Sequence, residues 1–249
     1  MSEQETESFG PDAEPGLTQA LPPLRPGTLY VVATPIGNLE DMTLRAIRVL
    51  KECTVIAAED TRHTSKLLRR LGVWKPLVSC HQFNEARRGE DLVERLRRGE
   101  IVALVSDAGT PGISDPGERI VRKAVEAGLR VEPVPGPCAL IAALAASALP
   151  TEVFHFAGFP PHKGAARRTF LARAGQWPGT LVLYESPYRL LKLLEEIGEI
   201  WPARRVVIAR ELTKKFEEFQ RGTAAELARK FQEKSTRGEF VVLLEPLEP

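Results

Sequence analysis

Residues 106–117 read SDAGTPGISDPG, a loop set between a hydrophobic run and a helical pattern. Its residue types belong to a ligand-binding turn. Gly109, Gly112 and Gly117 open backbone angles closed to other residues and let a ligand approach the main chain, while Pro111 and Pro116 stiffen the turns between them. An ordinary β–α connection takes about two to six residues, and this one is roughly twice as long. Asp115 is read as an N-cap, with Pro116 in the first helical position and Gly128 closing the far end. In an open α/β sheet, ligands sit at the carboxyl ends of strands, where this loop falls.

Five other segments carry groups that can act on a ligand. AEDTRHTSKLLRRLG (58–72) gathers Glu59, Asp60, Thr61, Arg62 and His63 after a hydrophobic run, a set that can hold a polar substrate or a phosphate. Its plainer reading is an acidic helix start capped by Asp60 or Thr61, with Arg69 and Arg70 favourable near the helix end. ATPIGNLEDMT (33–43) combines Pro35, Gly37 and Asn38 in a tight turn, either a second ligand loop or a turn before a helix capped near Asp41 or Thr43. VPGPCALIAAL (134–144) places a helix start, with its free N–H groups, at a strand end. YESPYR (184–189) and RELTKKFEE (210–218) supply Glu185 and Glu217, each either a cap or ion-pair partner, or a base or substrate orienter.

Arginine recurs at Arg87, Arg88, Arg95, Arg97, Arg98, Arg167, Arg168 and Arg173, followed by Lys214 and Lys215. Singly these read as solvated helix faces. Together they can form a phosphate-binding stripe, since a guanidinium offers phosphate two parallel donors. His81 reads as a hydrogen-bonded structural histidine.

The elements that must position these groups alternate. Strands are expected at 28–34, 54–58, 101–105 and 130–134, with helices at 44–52, 65–71, 89–98, 117–127 and 137–148. After Leu149-Pro150 the alternation resumes, with strands at 153–158, 180–185, 205–210 and 239–245 and helices at 165–174, 188–197 and 223–233. This order predicts α/β architecture with a largely parallel sheet, divided into domains at 27–150 and 151–249 with a ligand cleft between them. The first 26 residues carry five acids against Arg25, a net charge of −4 in a chain of net +1, and are expected to be a disordered acidic tail. The remaining +5 does not by itself establish nucleic-acid binding.

Several classes are excluded. No two of the 19 glycines are separated by a single residue, so the dinucleotide fingerprint GxGxxG is absent. Gly112 and Gly117 have P-loop spacing, but Glu118 stands where the phosphate-binding lysine belongs. There is no GxSxG and no HExxH. Cys53, Cys80 and Cys138 form no CxxC pair and read as buried thiols, so neither a disulfide framework nor a metal site is expected. No apolar run approaches the roughly 20 residues of a membrane span, and the N-terminus lacks the pattern of a secretory signal, so a cytoplasmic protein is expected.

Taken together, YVVATPIGNLEDMTLRAIRVLKE, AEDTRHTSKLL, SDAGTPGISDPG, VPGPCA, YESPYR and RELTKKFEE resemble the small-subunit ribosomal RNA ribose methyltransferase (RsmI) family, within the tetrapyrrole-methylase-like group. The resemblance covers residues 27–245. It implies two α/β domains of the tetrapyrrole methylase (class III methyltransferase) type, S-adenosyl-L-methionine folded into the interdomain cleft, and a homodimer. It implies 2′-O-ribose methylation of a cytidine in 16S ribosomal RNA, within an assembled 30S subunit. Implied cofactor contacts are Pro35, Gly37, Asp107, Ala108, Gly109, Thr110, Pro111, Ile113, Cys138, Ala139, Tyr184, Arg210, Gly238 and Glu239. Candidates for a base are Glu59, Asp60, Glu185, Lys214 and Glu217, with Arg62 on an RNA phosphate or the substrate's polar edge. The chain departs from the family pattern at Cys138, where serine is more common, and at His81-Gln82-Phe83-Asn84, where HEHN is common. The alternatives are a precorrin-type C-methyltransferase and a non-catalytic RNA-binding assembly factor.

Overall fold

The computed structural model describes residues 22–233 and 237–247. The acidic segment expected to be disordered falls largely outside them. Its last residues lie against the body: Leu24 is buried, and the Arg48 guanidinium donates to the Pro22 carbonyl at 2.9 Å.

The first sheet contains β1 (Thr28–Val32), β2 (Val55–Ala58), β3 (Leu77–Ser79), β4 (Val102–Val105) and β5 (Arg130–Val134), in the order β3-β2-β4-β1-β5 with every pairing parallel. Alternate side chains point to opposite faces, and both faces are apolar. Tyr30, Val32, Ile56, Ala58, Ala103 and Val105 pack against α1 (Leu44–Glu52) and α2 (Thr61–Arg70). Leu29, Val55, Ala57, Val102 and Leu104 pack against α3 (Glu85–Arg97) and α4 (Glu118–Glu126).

The second sheet corrects the expectation of parallel strands. It contains β6 (Phe154–Phe156), β7 (Thr180–Glu185), β8 (Arg205–Arg210), β9 (Glu218–Thr223) and β10 (Phe240–Leu244), in the order β6-β7-β10-β8-β9. Only β6 and β7 are parallel; β7-β10, β10-β8 and β8-β9 are antiparallel. Alternating hydrophobic runs do not encode strand direction, and the polar edge strand β9 escaped the reading. One face of this sheet packs on α6 (Gly164–Ala174), α7 (Leu190–Ile200) and α8 (Ala224–Glu233).

The other face packs on α5 (Ala139–Ala145), through Leu140, Ala143 and Leu144 against Val182, Val207, Val241 and Leu243. This helix continues from the carboxyl end of β5, so the chain leaves the first sheet by docking onto the second. Ile36, from the loop after β1, joins the same cluster. The strand-end loops of the first sheet are thereby pressed against the second.

Helix starts follow local chemistry where a cap is present. The side chains of Thr43 and Asp60 accept from Ala46 N and Arg62 N and set the starts of α1 and α2. The expected Asp115 cap is corrected. The N-cap of α4 is Gly117, with φ +139°, and its N–H groups are capped from another element: a Glu85 carboxylate oxygen accepts from Gly117 N at 2.9 Å and Arg119 N at 3.1 Å.

Candidate functional site

Four strand ends of the first sheet are tied into one surface. Thr34, after β1, and Gly109, after β4, exchange backbone hydrogen bonds of 2.8 and 3.0 Å. Gly109 sits at φ +83°, which glycine adopts without steric cost. The Thr110 hydroxyl donates to the Pro137 carbonyl at 3.1 Å, joining this loop to the segment after β5. After β2, Asp60 N donates to the Asp107 carboxylate at 3.0 Å, which places Glu59 beside Asp107.

Between this surface and the second sheet lies a cavity of about 290 Å³. The first sheet contributes Ile36 and residues of the 108–115 loop, followed by Cys138 and Ala139. The second contributes Phe159, Tyr184–Pro187, Leu212 and Glu239–Val241. Tyr184 forms one wall, edge-on to Phe156 at 4.8 Å and to Phe159 at 5.7 Å between ring centroids. Its hydroxyl accepts from Leu140 N at 3.1 Å and so anchors the first turn of α5.

The electrostatics of the lining point one way. It holds three carboxylates, Asp115, Glu185 and Glu239, and no lysine, arginine or histidine. Glu185 pairs with Arg189 at 2.6 Å, while its Oε2 is buried without a hydrogen-bond partner among the described residues. Glu239 pairs with Lys214 at 2.8 Å. Asp115 has no ion pair among the described residues. Burial, with Glu59 and Asp107 nearby and against the Ser106 hydroxyl, pushes its carboxyl up to about 6. Burial and Asp107 likewise raise Glu59. An anion has no cationic partner in this cavity; a cation has carboxylates and aromatic faces.

Of the expected cofactor contacts, Ala108, Gly109, Thr110, Ile113, Cys138, Ala139, Tyr184 and Glu239 line the cavity. Pro35, Gly37, Asp107, Pro111, Arg210 and Gly238 do not. Gly37 is closely packed instead: a Cβ there would stand 2.4 Å from Lys214 Cγ and 3.2 Å from the Leu212 carbonyl oxygen. Gly238, at φ +118°, abuts Glu211 in the same manner. Arg210 donates to Glu218 at 2.7 Å and to the Arg237 carbonyl at 2.8 Å.

Of the expected bases, only Glu185 lines the cavity. Asp60 and Arg62 form a surface pair at 2.9 Å, which holds the Asp60 carboxyl down at about 2. Lys214 bridges Glu211 and Glu239, and Glu217 accepts from Thr213 N at 2.5 Å. Arg167 leaves the expected surface stripe: it is buried and bidentate to Glu196 at 2.7 and 2.9 Å. Cys53 and Cys80 are buried as expected, whereas Cys138 is half-buried on the cavity wall.

Sequence reasoning missed Phe159, Leu212 and Asp115 as lining residues. Phe159 lies in a segment with no motif, and Leu212 lies within RELTKKFEE, where the charged neighbours drew the reading. Asp115 carried a strong signal, but one that reads equally as a cap. Among the described residues no helix is long and apolar enough to cross a membrane, and no cluster of metal-ligating side chains is present.

With the geometry defined, comparison with known proteins places the chain. The profile of Tetrapyrrole (Corrin/Porphyrin) Methylases matches residues 28–228. Solved structures share the fold: cobalt precorrin-4 methyltransferase superposes with TM-score 0.61 at 21% identity, covering 90% of this chain and 97% of that one. Uroporphyrin-III C-methyltransferase of Thermus thermophilus, in complex with S-adenosylhomocysteine, gives 0.59 at 22% identity, covering 88% and 97%. The chain belongs to the tetrapyrrole methylase family, and its two facing sheets with a cleft between them are the architecture of that class.

Sequence relatives narrow the placement. Ribosomal RNA small subunit methyltransferase I of Pseudomonas aeruginosa is 51% identical over 221 residues, covering 88% of this chain and 78% of the relative. The protein of the same name from Halalkalibacterium halodurans is 50% identical over 219 residues, covering 88% and 76%. Within the tetrapyrrole methylases, the chain is a member of the ribosomal RNA small subunit methyltransferase I family.

Proposed function

We propose that this chain transfers the methyl group of S-adenosyl-L-methionine to the 2′-hydroxyl of a cytidine in small-subunit (16S) ribosomal RNA, by direct in-line displacement. The observation that carries the cofactor assignment is the acidic, aromatic-walled cavity. S-adenosyl-L-methionine is a cation at sulfur and amine, and the lining offers carboxylates and rings without a basic side chain. The buried, unpartnered Oε2 of Glu185 is an acceptor for a donor group of the cofactor. RNA is favoured over a corrin or porphyrin substrate by the sequence relatives, which at 50–51% identity are named ribosomal RNA small subunit methyltransferase I.

When bound, the cofactor supplies an electrophilic methyl group. The chain's task is positioning, which can lower a barrier by roughly 7–11 kcal/mol. Ala108–Thr110 and Cys138–Ala139 form one side of the holding surface, and Phe159 and Tyr184 the other. Asp107 and Pro111 act behind that surface, fixing the loop, and Gly37 and Gly238 permit the second-sheet segment to close on it. In this reading residues 27–150 and 151–249 are two domains, the working unit is a cytoplasmic homodimer, and the substrate is the assembled 30S subunit.

Calorimetric titration tests the cofactor assignment. S-adenosyl-L-methionine is expected to bind one per chain, with ATP not binding. Absence of cofactor binding would leave a non-catalytic RNA-binding role as the better reading.

A further inference from the structure

Ser114 and Asp115 line two cavities at once. One is the acidic cavity described above; the other, of about 430 Å³, is lined by Gln82, Phe83, Glu85 and residues 114–119 and shares Ser114 and Asp115 with it. Ser114 is held at φ +63°, an uncommon angle for a residue with a side chain, immediately before Asp115. Such backbone is kept where the surroundings over-determine it. Here Glu85 fixes the turn by accepting from Gly117 N and Arg119 N.

That fixation also limits what the second cavity can take. The N-terminal N–H groups of α4 would otherwise attract a phosphate, but the Glu85 carboxylate already fills that place. With Glu85 and Asp115 in the wall, the interior suits a neutral polar group that donates hydrogen bonds. At the edge, Phe83 is 87% exposed, touching only the His81 ring edge-on at 6.0 Å among the described aromatic pairs. Gln82 offers an amide beside it, and the exposed Glu118 and Arg119 also line the cavity. An exposed aromatic ring, an amide and an outlying cation beside a buried carboxylate suit a single unstacked nucleotide. The base stacks on the ring, the sugar hydroxyls face inward, and the phosphates stay outside.

We propose that this second cavity receives the target nucleotide, unstacked from the RNA with its base on Phe83, and that Asp115, at the boundary of the two cavities, accepts the proton of the 2′-hydroxyl. This rests on the reading given under Proposed function. The step balances without another reagent: the O–CH3 bond forms as the S–CH3 bond breaks, the bonding pair stays on sulfur and cancels its positive charge, and the hydroxyl proton passes to the Asp115 carboxylate. The groups facing Asp115 are Glu59 after β2, Ser106 and Asp107 after β4, and Tyr184 on β7. The neighbouring carboxylates and burial keep its basicity above that of an ordinary aspartate, which suits a proton acceptor working near neutrality.

The test is methyl transfer to unmodified small subunits by wild type, Phe83→Ala, Phe83→Trp and Asp115→Asn, with S-adenosyl-L-methionine affinity measured by calorimetry on each. Phe83→Ala should lower kcat/KM for the subunit roughly 10–100-fold, chiefly through KM, and Phe83→Trp should restore most of it. Asp115→Asn should lower kcat by about 10²–10⁴. Cofactor affinity should stay within a few-fold for both Phe83 variants, whereas Asp115→Asn, which also removes a carboxylate from the cofactor cavity, is compared with wild type at saturating cofactor. Active wild type with Phe83→Ala unimpaired would overturn the nucleotide site, and Asp115→Asn retaining kcat at saturating cofactor, or keeping the wild-type rise of rate with pH, would overturn the proton acceptor. Wild type that binds cofactor but methylates no subunit would sink the functional reading itself.

Discussion

The Glu85 carboxylate, from the first turn of α3, accepts a hydrogen bond of 2.9 Å from the buried N–H of Gly117 across 32 residues of sequence. The same oxygen takes the N–H of Arg119. One side chain therefore replaces a local helix cap and holds the end of the long loop against α3. Glu85→Ala would leave a buried donor without a partner, a cost of about 1–3 kcal/mol. For a chain of this size that lowers Tm by roughly 2–4 °C per kcal/mol. Glu85→Gln, which keeps an acceptor, should lose less. Thermal melts of the two variants beside wild type check both statements.

The Arg167–Glu196 pair is buried and bidentate, so neither partner can be removed cleanly. Arg167→Ala leaves the buried Glu196 carboxylate with only the exposed Arg168, at 3.6 Å, and should cost about 3–5 kcal/mol. Arg167→Met with Glu196→Leu should recover much of that loss, because no charge remains to desolvate. Urea midpoints of the single and double variants measure it.

Tyr184, on β7, holds the first turn of α5 by accepting one hydrogen bond from Leu140 N. Tyr184→Phe keeps the aromatic wall and removes the acceptor at the start of α5. Cofactor affinity should fall about 5- to 30-fold, a loss on the order of 1–2 kcal/mol. Unchanged affinity by calorimetry would show that the hydroxyl does not position that helix for the cofactor.

The Asp115 carboxyl, raised from 3.8 to about 6 chiefly by burial, sets a pH dependence of definite sign. Its ionised form costs the folded state more than the unfolded chain. The cost is absent below pH 3.8, grows as pH rises through about 6 and is complete above it. Asp115→Asn should therefore raise Tm at pH 8 and change it little at pH 4. In wild type, methyl transfer should rise with pH through about 6 as the carboxylate forms. Melts at both pH values and a rate profile check the two halves separately.

Much of this was readable from the residues. The helix over Leu44–Glu52 and the strand over Arg130–Val134 coincide with their expected bounds, because periodicity and clear stops agree there. The loop at 106–117 carries its own glycine and proline chemistry, so its place at a ligand cavity was legible. Two kinds of information were not. The strand β9, EFQRGT, is half-buried and polar, and its pairing with β8 is set by a turn in which Glu211 and Thr213 adopt φ values of +51° and +65°. The N-cap of α4 comes from Glu85, a partner that no local pattern announces. Without it, Asp115 looked like the cap, and its position between two cavities stayed hidden.

Methyl transfer from a cationic cofactor to a ribose oxygen is the proposal on which the others depend. Its most direct test incubates small subunits lacking the modification with methyl-labelled S-adenosyl-L-methionine and maps the label to a nucleotide and an atom. The account predicts label on one cytidine of 16S ribosomal RNA, at the 2′-oxygen, with the adjoining phosphodiester resistant to alkali. Label on a base, or on no RNA while the cofactor binds, would contradict it.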